Sequence, residues 1–151
     1  MQFEHPKSSH LGKFINIKDS SDKNIEIQTP QLKVYKITGK EIVVEIDQSL
    51  REWFSNFIEI SSCHFKKYLP RNKQSPSFEG DVKYLTIKIK ENTEFFHKLK
   101  DPVSENDKIY IYNLSKINEN DQVVLLIETL GIWVNRNYYG ATWTAKQILV
   151  V

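Results

Sequence analysis

Basic and aromatic side chains are interspersed between residues 64 and 90 of this 151-residue chain. Seven basic residues in this segment outnumber two acidic ones, although the whole chain has a net charge of only +2. Lysine and arginine contact phosphates, and aromatic rings stack on unpaired bases. This combination favours a surface that binds single-stranded nucleic acid. The basic residues are Lys66, Lys67, Arg71, Lys73, Lys83, Lys88 and Lys90.

A second cluster of candidate residues lies near the end of the chain. Tyr138 and Tyr139 follow Arg136 in a segment that reads as a turn, where two consecutive tyrosines cannot easily both point inward. We expect them to offer stacking faces, with plain packing as the alternative; for the lysines the alternative is an ordinary solvated surface. The predicted nucleic-acid-binding residues are Lys66, Lys67, Arg71, Lys73, Tyr84, Lys88, Arg136, Tyr138 and Tyr139.

Motifs of catalysis and metal binding are missing from the sequence. It contains no glycine-rich phosphate loop, no HExxH, no CxxC and no GxSxG. Cys63 and His64 are adjacent on a predicted helix, where neighbouring side chains do not face each other as a nucleophile and its base must. We therefore expect no catalytic residues, no metal site, no cofactor and no enzymatic activity.

Composition is typical of a single globular domain. We expect a flexible arm over residues 1–10 and one β-rich binding domain over residues 11–151. The single cysteine excludes an internal disulfide and suits a reducing compartment. The N-terminus lacks the apolar run of a signal peptide, and no apolar segment is long enough to span a bilayer. The expectation is a protein that is not secreted and has no membrane partner.

Short alternating segments before and after one helical segment indicate an α+β, β-rich fold. Leu50, Trp53, Phe54, Phe57 and Ile58 recur at spacings of three and four, which predicts one long amphipathic helix over about residues 49–68. A capping box that begins at Ser49 is expected to start it. Residues 94–100 are compatible with a second, short helix. The predicted architecture is an oligonucleotide-binding-like (OB-like) barrel or twisted antiparallel sheet of about eight strands.

Two motifs resemble a known family. They are Ile27-Gln28-Thr29-Pro30-Gln31-Leu32, and Gly131-Ile132-Trp133-Val134 followed by Tyr139-Gly140-Ala141-Thr142-Trp143-Thr144-Ala145-Lys146-Gln147. Their order and their spacing to the central helix resemble the single-stranded DNA-binding proteins of nucleocytoplasmic large DNA viruses. Tyr139 stands where that pattern has Phe, and Thr144 where it often has Lys. The resemblance implies an OB-fold core and a role at a viral replication site in the host cytoplasm or nucleus.

These observations predict a non-catalytic single-stranded DNA-binding protein of viral DNA replication or repair. The alternative is a viral structural or protein–protein interaction module without nucleic-acid binding, and a third reading is a small nuclease or nucleotide-processing enzyme. The sequence leaves open whether RNA is also a partner, whether the chain forms a homo-oligomer, and whether residues 1–10 become ordered on binding.

Overall fold

The structure is a computed structural model that describes residues 2–3, 7–9, 12–66, 73–74, 83–135 and 138–151. The described residues form an α+β fold with many strands and one α-helix, as the sequence predicts. They divide into two compact units. The first unit draws on residues 1–25, 46–83 and 129–142, and the barrel unit on residues 26–45, 84–128 and 143–151.

Six strands precede the helix and seven strands follow it along the described chain. In order they are β1 (Gln2–Phe3), β2 (Lys7–Ser9), β3 (Gly12–Lys18), β4 (Ile25–Gln28), β5 (Leu32–Ile37), β6 (Glu41–Glu45), α1 (Gln48–Lys66), β7 (Lys73–Gln74), β8 (Tyr84–Lys100), β9 (Asp107–Ile111), β10 (Gln122–Thr129), β11 (Gly131–Val134), β12 (Tyr138–Ala141) and β13 (Thr144–Val150). The prediction of about eight strands was too low because several of these strands have only two to four residues.

Five strands of the barrel unit close into a ring in the order β5-β6-β8-β13-β10, with β10 paired back to β5. The β8–β13 pair is parallel, and the other four pairs are antiparallel. Strand β4 pairs with β10, and β9 pairs with β8, both outside the ring. The predicted OB-like barrel is therefore present.

The barrel interior is built from alternate residues of its strands, since successive side chains of a strand point to opposite faces. Strand β10, for example, alternates strictly between half-buried and buried positions. The buried apolar side chains on the ring strands are Leu32, Val34, Ile42, Val44, Leu85, Ile87, Val123, Leu125, Ile127, Ala145, Ile148 and Val150. The opposite positions of the same strands form the outer surface of the barrel.

The first unit contains the other sheet, in the order β1-β3-β11-β12-β7, with β2 also paired to β3. Ile58 of α1 packs in one buried cluster with strand residues Ile17, Ile132, Val134 and Tyr139. The helix thus covers the apolar face of this sheet. Strands β1 and β2 lie within the arm expected over residues 1–10, and both pair with β3.

The long helix is confirmed, but its cap differs from the prediction. Phe54 and Ile58 are buried, Leu50 and Phe57 are half-buried and Trp53 is exposed, so the apolar stripe faces the core along only part of its width. The carboxylate of Asp47, not the hydroxyl of Ser49, accepts the Leu50 amide at 2.8 Å. An aspartate is a strong N-cap, and its charge also suits the positive end of the helix dipole.

Residues 94–100, whose sequence is compatible with a short helix, form a strand instead. These residues continue β8, which pairs with β13 over residues 94–97 and with β9 over residues 96–100. Thr93 marks an irregularity between the two halves of β8. No helix in the described part of the chain is long and apolar enough to cross a membrane.

Candidate nucleic-acid interface

The outer face of β5, β6 and β8 brings together side chains that can contact a nucleic acid. Because Ile42, Val44, Leu85 and Ile87 point inward, the residues between them point outward. The β6–β8 register places three outward pairs side by side: Glu41 with Lys88, Val43 with Thr86, and Glu45 with Tyr84. We call the outward positions of β5, of β6 and of residues 84–90 of β8 the platform face.

A β-bulge adds an aromatic and a basic residue to the platform face. Val34 pairs with Val44 while Lys36 pairs with Val43, so Tyr35 is the extra residue on β5. A bulge bends its strand and redirects side chains. Tyr35 and Lys36 are consequently both exposed, although they are consecutive residues of one strand.

Tyr35 reaches across β6 to stack on Tyr84. The ring centroids are 4.2 Å apart and the ring planes are inclined by 27°. Tyr35 is nevertheless 49% exposed and Tyr84 39% exposed. The two rings therefore support each other and still present aromatic surface to solvent, in the stacked geometry that aromatic pairs favour.

The platform face has more basic than acidic side chains, although the cross-strand neighbour of Tyr84 is Glu45. The platform face carries four exposed lysines against the two half-buried glutamates of β6. In the described part of the chain, none of these lysines forms an ion pair within 4 Å. The face thus has an excess of positive charge that is available to phosphates. The four lysines are Lys33, Lys36, Lys88 and Lys90.

A lysine outside the platform face behaves differently. Lys146 on β13 forms an ion pair with Glu26 on β4. Its hydrogen bond to the Glu26 carboxylate raises the pKa of Lys146 above its ordinary value. The charge of Lys146 is already balanced by a neighbouring residue, so Lys146 contributes less to the attraction of an anion than the platform lysines do.

The turn between β5 and β6 fixes one end of the platform face. The Thr38 hydroxyl accepts hydrogen bonds from the amides of Lys40 and Glu41, each at 3.2 Å. The Lys40 carbonyl accepts the Ile89 amide of β8 at 2.8 Å. These bonds hold a short turn in which the Lys40 side chain is exposed, next to the strands that carry the aromatic pair.

Two of the predicted contact residues, Tyr84 and Lys88, lie together on the platform face. They point the same way from β8, about 13 Å apart along the strand. Sequence reasoning missed Tyr35 and Lys36. The exposure of both residues depends on the bulge, and the residue pattern of β5 does not indicate a bulge. The Lys-Val-Tyr-Lys run does place a tyrosine between lysines.

The other predicted contact residues belong to the first unit or lie outside the described residues. Lys66 ends α1 and Lys73 begins β7. Tyr138 begins β12 and is exposed, with its amide donating to the Asn135 side chain at 2.8 Å. Lys67, Arg71 and Arg136 lie outside the residues that the structure describes.

Tyr139 requires a correction, because it does not offer a stacking face. It is only 1% exposed, and its hydroxyl donates to the Glu59 carboxylate of α1 at 2.6 Å. The prediction assumed a turn, whereas residues 138–141 form β12, in which consecutive side chains point to opposite faces. Tyr138 therefore points outward and Tyr139 inward, into the cluster around Ile58.

The groups on the platform face can stack on planar rings and pair with anions. Among the described residues, no group of three or more His, Cys, Asp and Glu side chains is arranged to hold a metal ion.

Comparisons of the chain with protein-family models, with curated proteins and with solved structures find no match. The interpretation of the site therefore depends on its own geometry.

Proposed function

We propose that the barrel unit binds single-stranded nucleic acid, and single-stranded DNA in the first place, on the platform face and without catalysis. The observation that carries the proposal is the exposed Tyr35–Tyr84 stack on a face with four lysines that have no ion-pair partner among the described residues. OB barrels bind oligonucleotides on the face of their second and third strands and at the loop between the first and second. Here these are β6, β8 and the turn that carries Lys40.

The chemistry of such binding follows from the arrangement of the groups. An unpaired base extends the stack by lying on the exposed surface of the tyrosine pair, and the lysines meet the phosphates on either side. Duplex bases are already stacked and paired, so their faces are not accessible to the tyrosines. The platform face should therefore bind single strands in preference to duplex.

The family resemblance of the sequence motifs supports DNA as the physiological ligand and viral replication or repair as the setting. The motif residues themselves do not form the platform face. Thr29 of the first motif is buried, and its hydroxyl accepts the Leu125 amide at 3.0 Å. The resemblance therefore supports the proposal through the fold, and the platform face supports it through the contacts.

The proposal is tested by titrating fluorescent oligonucleotides against the full chain. Tyr84→Ala and Tyr35→Ala should each weaken single-strand binding by about 1–3 kcal/mol, the usual contribution of one stacked base. Tyr84→Phe retains the ring and should bind nearly as well as the original chain. Tyr110→Ala removes a similarly exposed tyrosine from β9 and serves as the matched control, with no loss expected.

Two results would contradict the proposal. One is duplex DNA that competes as well as single strands do. The other is unchanged affinity in both alanine variants when circular dichroism shows that they are folded. Tyr138→Ala, measured in the same assay, tests separately whether the exposed tyrosine of the first unit also contributes.

A further inference from the structure

The β8–β9 hairpin has an edge with unusual exposure of apolar side chains. Among the described residues β9 pairs only with β8, and all five of its residues are exposed. Ile109 is 59% exposed and Ile111 is 88% exposed. An exposed edge strand with β-branched apolar residues can pair with another strand, and proteins usually protect such edges.

The hydrogen bonds of the hairpin determine which backbone groups the edge presents. The Tyr112 amide donates to the Phe95 carbonyl, and the Asp101 amide donates to the Asn106 carbonyl. In an antiparallel pair, hydrogen-bonded positions alternate with positions whose groups point away. Counting from these two bonds, Lys108 and Tyr110 bond to β8. The N–H and C=O groups of Asp107, Ile109 and Ile111 consequently point outward.

We propose that β9 is a self-association strand that pairs antiparallel with β9 of a second copy of this chain, about a two-fold axis at Ile109. This register matches every outward position of one strand with an outward position of the other. Ile109 pairs with Ile109 of the second copy, Asp107 with its Ile111, and Ile111 with its Asp107. A two-fold interface requires such a self-complementary surface.

The side chains agree with a second copy as the occupant. On one face the register places Ile109 directly opposite Ile109 of the second copy. Ile111 lies diagonal to that Ile109 and opposite Asp107, so the apolar side chains of β9 adjoin one another across the axis. On the other face it places Lys108 opposite Tyr110 of the second copy, and Lys108 already lies 5.7 Å from the Tyr110 ring centre within its own chain. The axis passes through an uncharged residue, so no charged side chain faces its own copy directly.

Sedimentation velocity over a concentration series tests the proposal on the full chain without nucleic acid. The original chain should pass from monomer to dimer as its concentration rises. Ile109→Lys places two positive charges on the axis and should abolish the dimer. Val103→Lys adds the same charge at an exposed turn position of the same hairpin and should leave the dimer unchanged. A chain that stays monomeric, or a dimer that survives Ile109→Lys, would overturn the proposal.

Cysteine cross-linking tests the register independently, in a Cys63→Ser background because Cys63 is exposed. The hydrogen-bonded pair at the axis has a Cα–Cα distance of about 5.5 Å, which a disulfide can span. Ile109→Cys should therefore form a disulfide-linked dimer on mild oxidation. Position 111 is more exposed than position 109, but the two copies of position 111 lie about 13 Å apart in this register. Ile111→Cys should therefore not cross-link. The reverse pattern would exclude the proposed pairing.

Discussion

Two buried threonines hold the places where barrel strands depart from regular pairing. The Thr93 hydroxyl donates to the Ala145 carbonyl of β13 at 2.7 Å and accepts the Lys90 amide at 2.9 Å. Thr29 bonds to Leu125 of β10 through both its side chain and its backbone. Its hydroxyl accepts the Leu125 amide, and its own amide donates to the Leu125 carbonyl. Each hydroxyl thus satisfies buried backbone groups that an irregular strand would otherwise leave unpaired.

Thr93→Val should destabilise the barrel unit. Valine has nearly the same shape as threonine but leaves the Lys90 amide and the Ala145 carbonyl without this partner. Each buried unsatisfied group costs about 1–3 kcal/mol, and we expect a loss of this size in the free energy of unfolding, measured by urea denaturation. Thr86→Val, at an exposed position of the same strand, is the matched control and should change stability little. Equal effects of the two substitutions would contradict the role given to the Thr93 hydroxyl.

At the scale of elements, the sequence predicts secondary structure correctly where the spacing of apolar residues alone determines it. Helix α1 was predicted within two residues at each end of the described helix because its apolar residues recur at 3.6-residue spacing. Residues 94–100 have no comparable pattern, and their pairing with β13 and β9 overrides their local helical preference. Tyr139 was misassigned for a related reason, since its burial depends on contacts of β12 with α1 and β7, which are distant in the sequence.

Phe54→Ala should destabilise the chain more than Phe57→Ala. Phe54 is completely buried, whereas Phe57 is half-buried and stacks on the exposed Trp53 with ring centres 5.7 Å apart. Truncation of a buried phenylalanine costs about 3–5 kcal/mol, and the cost falls where solvent can occupy the space. Urea denaturation of both variants measures the difference. If Phe57→Ala proves the more damaging, the burial order along α1 is wrong.

At the scale of the whole molecule, the candidate site depends on pairings between distant parts of the chain. The barrel closes through the parallel pairing of β8 with β13, which joins Lys88 to Thr144, and no local pattern in the sequence indicates that contact. Tyr84 and Lys88 were predictable as an aromatic and a basic residue on one face of an alternating strand. Tyr35 was not, because its contact with Tyr84 requires β6 to lie between β5 and β8.

The net charge of +2 is too small to attract DNA, so the salt dependence of binding should reflect the local charge of the platform face. Each phosphate that a lysine neutralises on a single strand contributes about −0.7 to the slope of log affinity against log salt concentration. Lys36→Ala and Lys88→Ala should each make this slope less steep by about that amount. Lys146→Ala removes the same charge from a lysine already paired with Glu26 and should leave the slope nearly unchanged. The slope of each of the three variants is measured by titrating one oligonucleotide at several salt concentrations. If all three substitutions change the slope equally, binding depends on the net charge of the chain and not on the platform face.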